Sequence, residues 1–235
     1  MKWLGKIKLL KSIIGYNLKI VFADKFVYFL IAAIAFYLMV TGIMLFSDNS
    51  QTETDIYNVI LFPGILVIFY PVVFNIQNDK DSRMIEIIFG IPDYRYKVYL
   101  VRFVISILLL ALMLLIFCLF SKFAIVHIRV LKMVYELMFP LFFLASTSFL
   151  FATILKNGRG AAVVMVIIGL TFFIMAEPLQ GSKWNIFLNP FDVPSDMSLG
   201  IWMNVVFQNR TMLITGSIVS ILWALMNLQR RESFI

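Results

Sequence analysis

Arg83, Glu86 and Arg95 surround an apolar knob, Met84-Ile85 and Ile87-Ile88-Phe89, which closes on Gly90 and Pro92. Charges around a compact apolar surface suit docking into another protein's groove rather than bond-making. Groups that make bonds are scarce. His127 and Cys118 are the sole residues of their types. One cysteine rules out a disulfide framework, one histidine rules out a His-pair metal site, and both argue against a nucleophile relay. His127 reads as a surface histidine and Cys118 as an inert buried thiol. Glu136 and Lys132 lie one helical turn apart and can pair. Gly158-Arg159-Gly160 lacks the spacing and the lysine of a phosphate-cradling loop. The chain therefore shows no nucleotide-hydrolysing motif of its own and does not read as an enzyme.

The elements that must carry the knob are apolar. The chain has 235 residues, 62% hydrophobic and 14% charged, with a mean hydropathy of +0.95. A soluble domain is nearer about 25% charged. A soluble globular enzyme and a disordered chain are excluded on this composition. The net charge of +7 sits beside membrane-length apolar runs, which argues against a nucleic-acid binder. About 20 apolar helical residues cross a bilayer core. Six runs approach that length: 26–46, 56–76, 103–120, 134–155, 161–175 and 211–228. They are continuously apolar, not alternating, so the expected fold is all-α, a single six-helix transmembrane domain over 26–228.

Lysine and arginine set the orientation. With both termini cytoplasmic, the inner segments hold Lys2, Lys6, Lys8, Lys11, Lys19, Lys25, Lys80, Arg83, Arg95, Lys97, Arg102, Lys156, Arg159, Arg230 and Arg231. Only Lys122, Arg129, Lys132, Lys183 and Arg210 fall outside. Residues 1–25 carry Trp3, Leu4, Ile7, Leu10, Ile14, Leu18 and Val21 on one helical side, which predicts an interfacial amphipathic helix on the anionic inner leaflet. No span carries a fully embedded charge, which weakens a proton- or sodium-coupled carrier.

The loop 77–100 predicts a short helix of about two turns, capped by Asp81 or Ser82 and stopped by Gly90. The second inner loop, 156–160, reads as a plain turn. The segment 177–210 contains Trp184, Phe187, Phe191 and Trp202 and is interrupted by Pro190, Pro194 and Asp196. Its short apolar runs predict re-entrant or interfacial helices. Gly216, Ser220 and Ala224 recur every four residues, a close helix-packing face. Asn209-Arg210-Thr211 matches a glycosylation acceptor, a pattern too short to weigh.

The segment Arg83-Met-Ile-Glu-Ile-Ile-Phe-Gly-Ile-Pro-Asp-Tyr-Arg-Tyr resembles the loop of type-2 ABC exporter permeases, the transmembrane subunits of ATP-binding-cassette transporters. That family carries a basic residue, a Glu, an apolar pair, a Pro and then an Arg before the third span. The amphipathic start, the six spans, the prolines of the second span and the basic end, 229–235, fit it along the whole chain. The resemblance implies that Arg83, Met84, Glu86, Ile87, Phe89, Gly90 and Pro92 form a coupling helix seated in a cytoplasmic ATPase subunit. It implies that Arg95 and Arg102 anchor the third span at the headgroups, and that two short helices dip into the outer leaflet. It further implies a second permease copy, no cofactor on this chain, ATP and Mg on the partner ATPase, and no nucleic acid. The expected setting is a bacterial inner membrane and the expected cargo amphipathic or hydrophobic: a lipid, peptide or drug-like molecule. The rival reading is an ATP-independent secondary carrier or channel.

Overall fold

Away from water, a backbone must satisfy its own hydrogen bonds, and the apolar runs do so as helices. The computed structural model describes residues 26–46, 50–91 and 93–229. The helix expected over 1–25, Pro92 and the tail from 230 onward lie outside the described residues. We number the helices α1 (Phe26–Leu45), α2 (Glu53–Val73), α3 (Asn75–Asp81), α4 (Ile85–Phe89), α5 (Val101–Ala124), α6 (Val130–Leu155), α7 (Gly158–Ile174) and α8 (Leu199–Asn227). A π-helical segment, Arg95–Leu100, leads into α5. No strand occurs among the described residues. The chain is all-α, and five helices are long and apolar enough to cross a membrane: α1, α2, α6, α8, and α5 taken with its π-helical lead.

α2 and α6 form the hub. α6 packs on α2, α5, α7 and α8, and α2 packs on α1 and α5. Both helices continue through their prolines, Pro63, Pro71 and Pro140. Gly64 allows the tightest of these approaches. A Cβ placed there would lie 2.7 Å from Leu141 Cδ1 of α6 and 3.3 Å from Leu114 Cδ2 of α5. Tyr37 ties α1 to α5 by donating to the Phe117 carbonyl at 2.8 Å, with Ser121 Oγ at 2.7 Å. The small-residue face of α8 packs inside the chain: Gly216 meets Phe143, and Ala224 is fully buried.

The turns at the two ends have local causes. Thr52 and Asp55 form a reciprocal capping box at the start of α2. Lys156 closes α6 in the left-handed region, φ 54°, and Asn157 caps α7 by accepting from Arg159 N and Gly160 N. The turn expected over 156–160 is thus confined to Lys156 and Asn157, and residues 158–160 already open α7. α7 has 17 residues, about 25 Å at the helical rise, shorter than the five membrane-length helices.

Two expectations are corrected. Residues 176–198 run in turns, not in two short helices, and α8 begins at Leu199, twelve residues before the 211 expected. The polar stretch Gln208-Asn209-Arg210 does not interrupt α8, because Asn209 and Arg210 find partners on neighbouring segments. Gly90 does end α4, but in the right-handed region, with φ −72°. Arg83 (φ 55°) and Asp93 (φ 59°) make the left-handed turns that flank α4.

Candidate functional site

At the basic end of the bundle, α3 folds back from α2 and sets Asp79 against the first turn of α5. Arg102 Nη1 donates to Asp79 Oδ2 at 2.7 Å, to Oδ1 at 2.8 Å and to Asn75 Oδ1 at 2.9 Å. Both side chains are buried, 5% and 4% exposed. Arg102 therefore does not reach the headgroups as expected: a buried guanidinium needs a carboxylate, and α3 supplies it. Burial raises the Asp79 carboxyl above its ordinary value, while the charge and hydrogen bonds of Arg102 pull it down. The buried Tyr99 hydroxyl and Arg102 Nε lack well-formed hydrogen bonds.

This pair holds α3 as a platform for α4. α4 has five residues, and its two faces differ. Ile85, Ile88 and Phe89 are buried, and Phe89 packs on Tyr94 with ring centroids 4.9 Å apart. Glu86 and Gly90 are exposed, as is Arg83 in the turn before the helix, and Ile87 is 67% exposed. Met84 is half-buried. The tip that faces outward is thus Arg83, Glu86, Ile87 and Gly90, whereas Phe89, expected to dock, belongs to the core. Tyr94 donates to the Leu228 carbonyl, and Arg95 reaches the Leu225 carbonyl at 3.5 Å while stacking over Tyr96. The loop is therefore fastened to the end of α8 as well as to α5. Gly158, at the start of α7, sits against Phe74 and Gln77 and donates its N–H to Gln77 Oε1 at 3.3 Å.

The opposite end is built around a second buried pair. Arg210 Nε donates to Glu136 Oε2 at 3.0 Å, with the side chains 8% and 12% exposed. Nη1 donates to Asn209 Oδ1 at 2.9 Å, Nη2 to the Leu188 carbonyl at 3.3 Å, and the guanidinium lies over Phe139. Asn209 Nδ2 donates to the Lys183 and Asn185 carbonyls at 2.8 Å each, and Tyr57 also donates to Leu188. The carboxylate of Glu136 thus pairs with Arg210 rather than with Lys132, which is exposed and lies over the Phe191 ring at 5.2 Å.

No family model, curated protein or solved structure matches the chain.

The aromatic residues expected in re-entrant helices have separate fates. Trp184 is exposed beside Lys183. Phe187 is half-buried and lines a cleft along α7. Phe191 packs on Tyr57. Trp202 is buried within α8 and donates its indole N–H to the Pro190 carbonyl at 3.2 Å.

The sequence reading passed over Asp79, Asn209 and Arg210 as site residues. For Arg210 a signal was present. An arginine twelve positions into an apolar helix demands a carboxylate, and Glu136 was already in view. Placing the helix start at 211 removed that demand.

Proposed function

We propose that the chain is the transmembrane permease subunit of an ABC exporter, moving an amphipathic or hydrophobic substrate by alternating access driven by a separate ATPase. The reading rests on the resemblance of the 83–96 loop. The observation that carries it further is the geometry of α4. Its outward tip of Arg83, Glu86 and Ile87 is small, exposed and mounted on a platform fixed by Asp79–Arg102. A lever of this kind passes a push from a partner to α5 and α8 because it has no slack to absorb it. In this reading α7, although short, is the fifth of six spans, the basic end faces the cytoplasm of a bacterium, and both termini lie there. A second permease copy completes the pathway, ATP and Mg sit on the ATPase, and residues 1–25 form the interfacial helix.

The test is co-purification from the native membrane in mild detergent. Wild type brings an ATPase subunit with it, and Glu86→Lys and Ile87→Asp release it while keeping the fold. Absence of an ATPase, or its full retention by both variants, ends this reading.

One observation favours the second reading, an ATP-independent carrier. The Glu136–Arg210 pair places charges in two membrane-length helices, and intramembrane charges mark carrier pathways. That reading requires the purified chain in vesicles to move substrate without nucleotide, and Glu136→Gln to abolish the movement.

A further inference from the structure

A cleft of about 500 Å³ runs between α1, α2, α6 and α7. This is within the range of small-molecule sites, about 300–1,000 Å³. Its walls include Phe62, Leu66 and Phe69 of α2 and Met165, Gly169 and Phe173 of α7. From Met165 to Phe173 it extends about 12 Å along α7. Among the described residues Ser148 supplies the one side-chain polar group on the wall, and its hydroxyl is spent on the Leu144 carbonyl at 2.7 Å. Among the described residues no charge lines the cleft, so a polar or ionic ligand would lose its water to these walls and gain nothing from them.

Gly169 keeps the cleft open. A Cβ added there meets nothing within 4 Å. α7 packs mainly on α6 and only marginally on α2, which leaves its Gly169 side unfilled. The wall is also wrong for another helix. Close helix approach in a membrane uses rows of small residues, and here the wall has only Gly169 on α7 and Ser148 on α6, set singly among large apolar side chains. A flexible apolar chain, in contrast, can follow an irregular wall, and Met165 can adapt to it.

We propose that this cleft holds one acyl chain of a bilayer phospholipid. A tail gains no transfer energy by leaving one apolar medium for another. It gains contact on several sides at once, and an empty cleft between membrane helices forfeits that contact. The site goes beyond the transport reading and needs no ATPase partner.

The experiment uses the full chain in phosphatidylcholine vesicles doped with a phospholipid that carries a diazirine in its acyl chain. After irradiation, adducts are mapped by peptide mass spectrometry and compared with those at Leu222, exposed on α8. Wild type is expected to show at least threefold enrichment at Phe62, Leu66 and Met165 over Leu222. Gly169→Leu puts bulk into the cleft from a position where an added Cβ has open space and is expected to bring that ratio to one with unchanged thermal unfolding. Gly42→Leu, also in open space, is expected to leave the ratio as in wild type. Equal labelling at the cleft and Leu222 in wild type overturns the proposal, as does enrichment that survives Gly169→Leu. Cleft labelling below that of Leu222 also overturns it and assigns the cleft to a protein occupant such as a second copy.

Discussion

Arg210 Nε lies 3.0 Å from Glu136 Oε2, joining α8 to α6 with side chains only 8% and 12% exposed. Arg210 stands 17 residues before the end of α8 at Asn227, about 25 Å along the helix. That is near the edge of a hydrocarbon core of about 30 Å. Removing one partner leaves a largely buried charge unpaired. Glu136→Ala is expected to cost about 3–5 kcal/mol, whereas Glu136→Leu combined with Arg210→Met recovers most of the loss. Thermal unfolding of the three variants in detergent measures this. A double variant as unstable as the single one would refute the pair as the cause.

The same logic at the basic end gives a different readout. Asp79 and Arg102 fasten α3 to α5. Asp79→Ala is expected to cost about 3–5 kcal/mol and to expose the 77–100 loop to protease before the rest of the chain is cut. Arg102→Lys is expected to rescue poorly, because a lysine cannot reproduce the contacts of one guanidinium with Asp79 and Asn75 together. Uniform proteolysis of wild type and Asp79→Ala would show that α3 does not hold the loop.

On α4, neighbouring residues predict opposite outcomes. Ile87 is 67% exposed and Phe89 5%. Ile87→Asp is expected to shift stability by no more than about 0.5 kcal/mol, and Phe89→Ala to cost about 3–5 kcal/mol. Under the ABC reading Ile87→Asp nevertheless abolishes ATPase association. Unfolding curves and co-purification on the same preparations separate the two effects.

The contrast within α4 shows where the sequence was readable. Long apolar runs such as 134–155 announce themselves, because hydropathy over some 20 residues does not depend on which side is buried. A helix of five residues has less than two turns and no periodicity to read. Met84, Ile85, Ile87, Ile88 and Phe89 look alike until α3 and Tyr94 decide which of them face inward. The start of α8 failed for a related reason. Asn209 and Arg210 look like loop residues alone, and they are tolerated in a helix only because the Lys183, Asn185 and Leu188 carbonyls and Glu136 accept their hydrogen bonds. The carbonyl partners of Asn209 leave no local mark, and Arg210 signals its need for a carboxylate only once the helix is known to run through it.

Asn209 turns that pairing into a final prediction. Its side chain is fully buried; Nδ2 donates twice at 2.8 Å and Oδ1 accepts from Arg210 at 2.9 Å. An amide committed in this way is closed to a glycosyl donor, although Asn209-Arg210-Thr211 has the acceptor pattern. Synthesis into microsomes is expected to give no glycosidase-sensitive mass shift. The amide is structural, so Asn209→Leu leaves the Lys183 carbonyl and a guanidinium N–H without partners, while the Asn185 carbonyl keeps only the Leu188 N–H, at about 1–3 kcal/mol for each buried group left unsatisfied. Thr211 is exposed, and its hydroxyl only bonds back to the Phe207 carbonyl at 2.9 Å. Thr211→Ala is therefore expected to stay within about 0.5 kcal/mol of wild type. If the acceptor pattern were what mattered, the two substitutions would act alike, since each destroys it. If the buried amide matters, only Asn209→Leu lowers the unfolding temperature and frees the 183–191 loop for proteolysis.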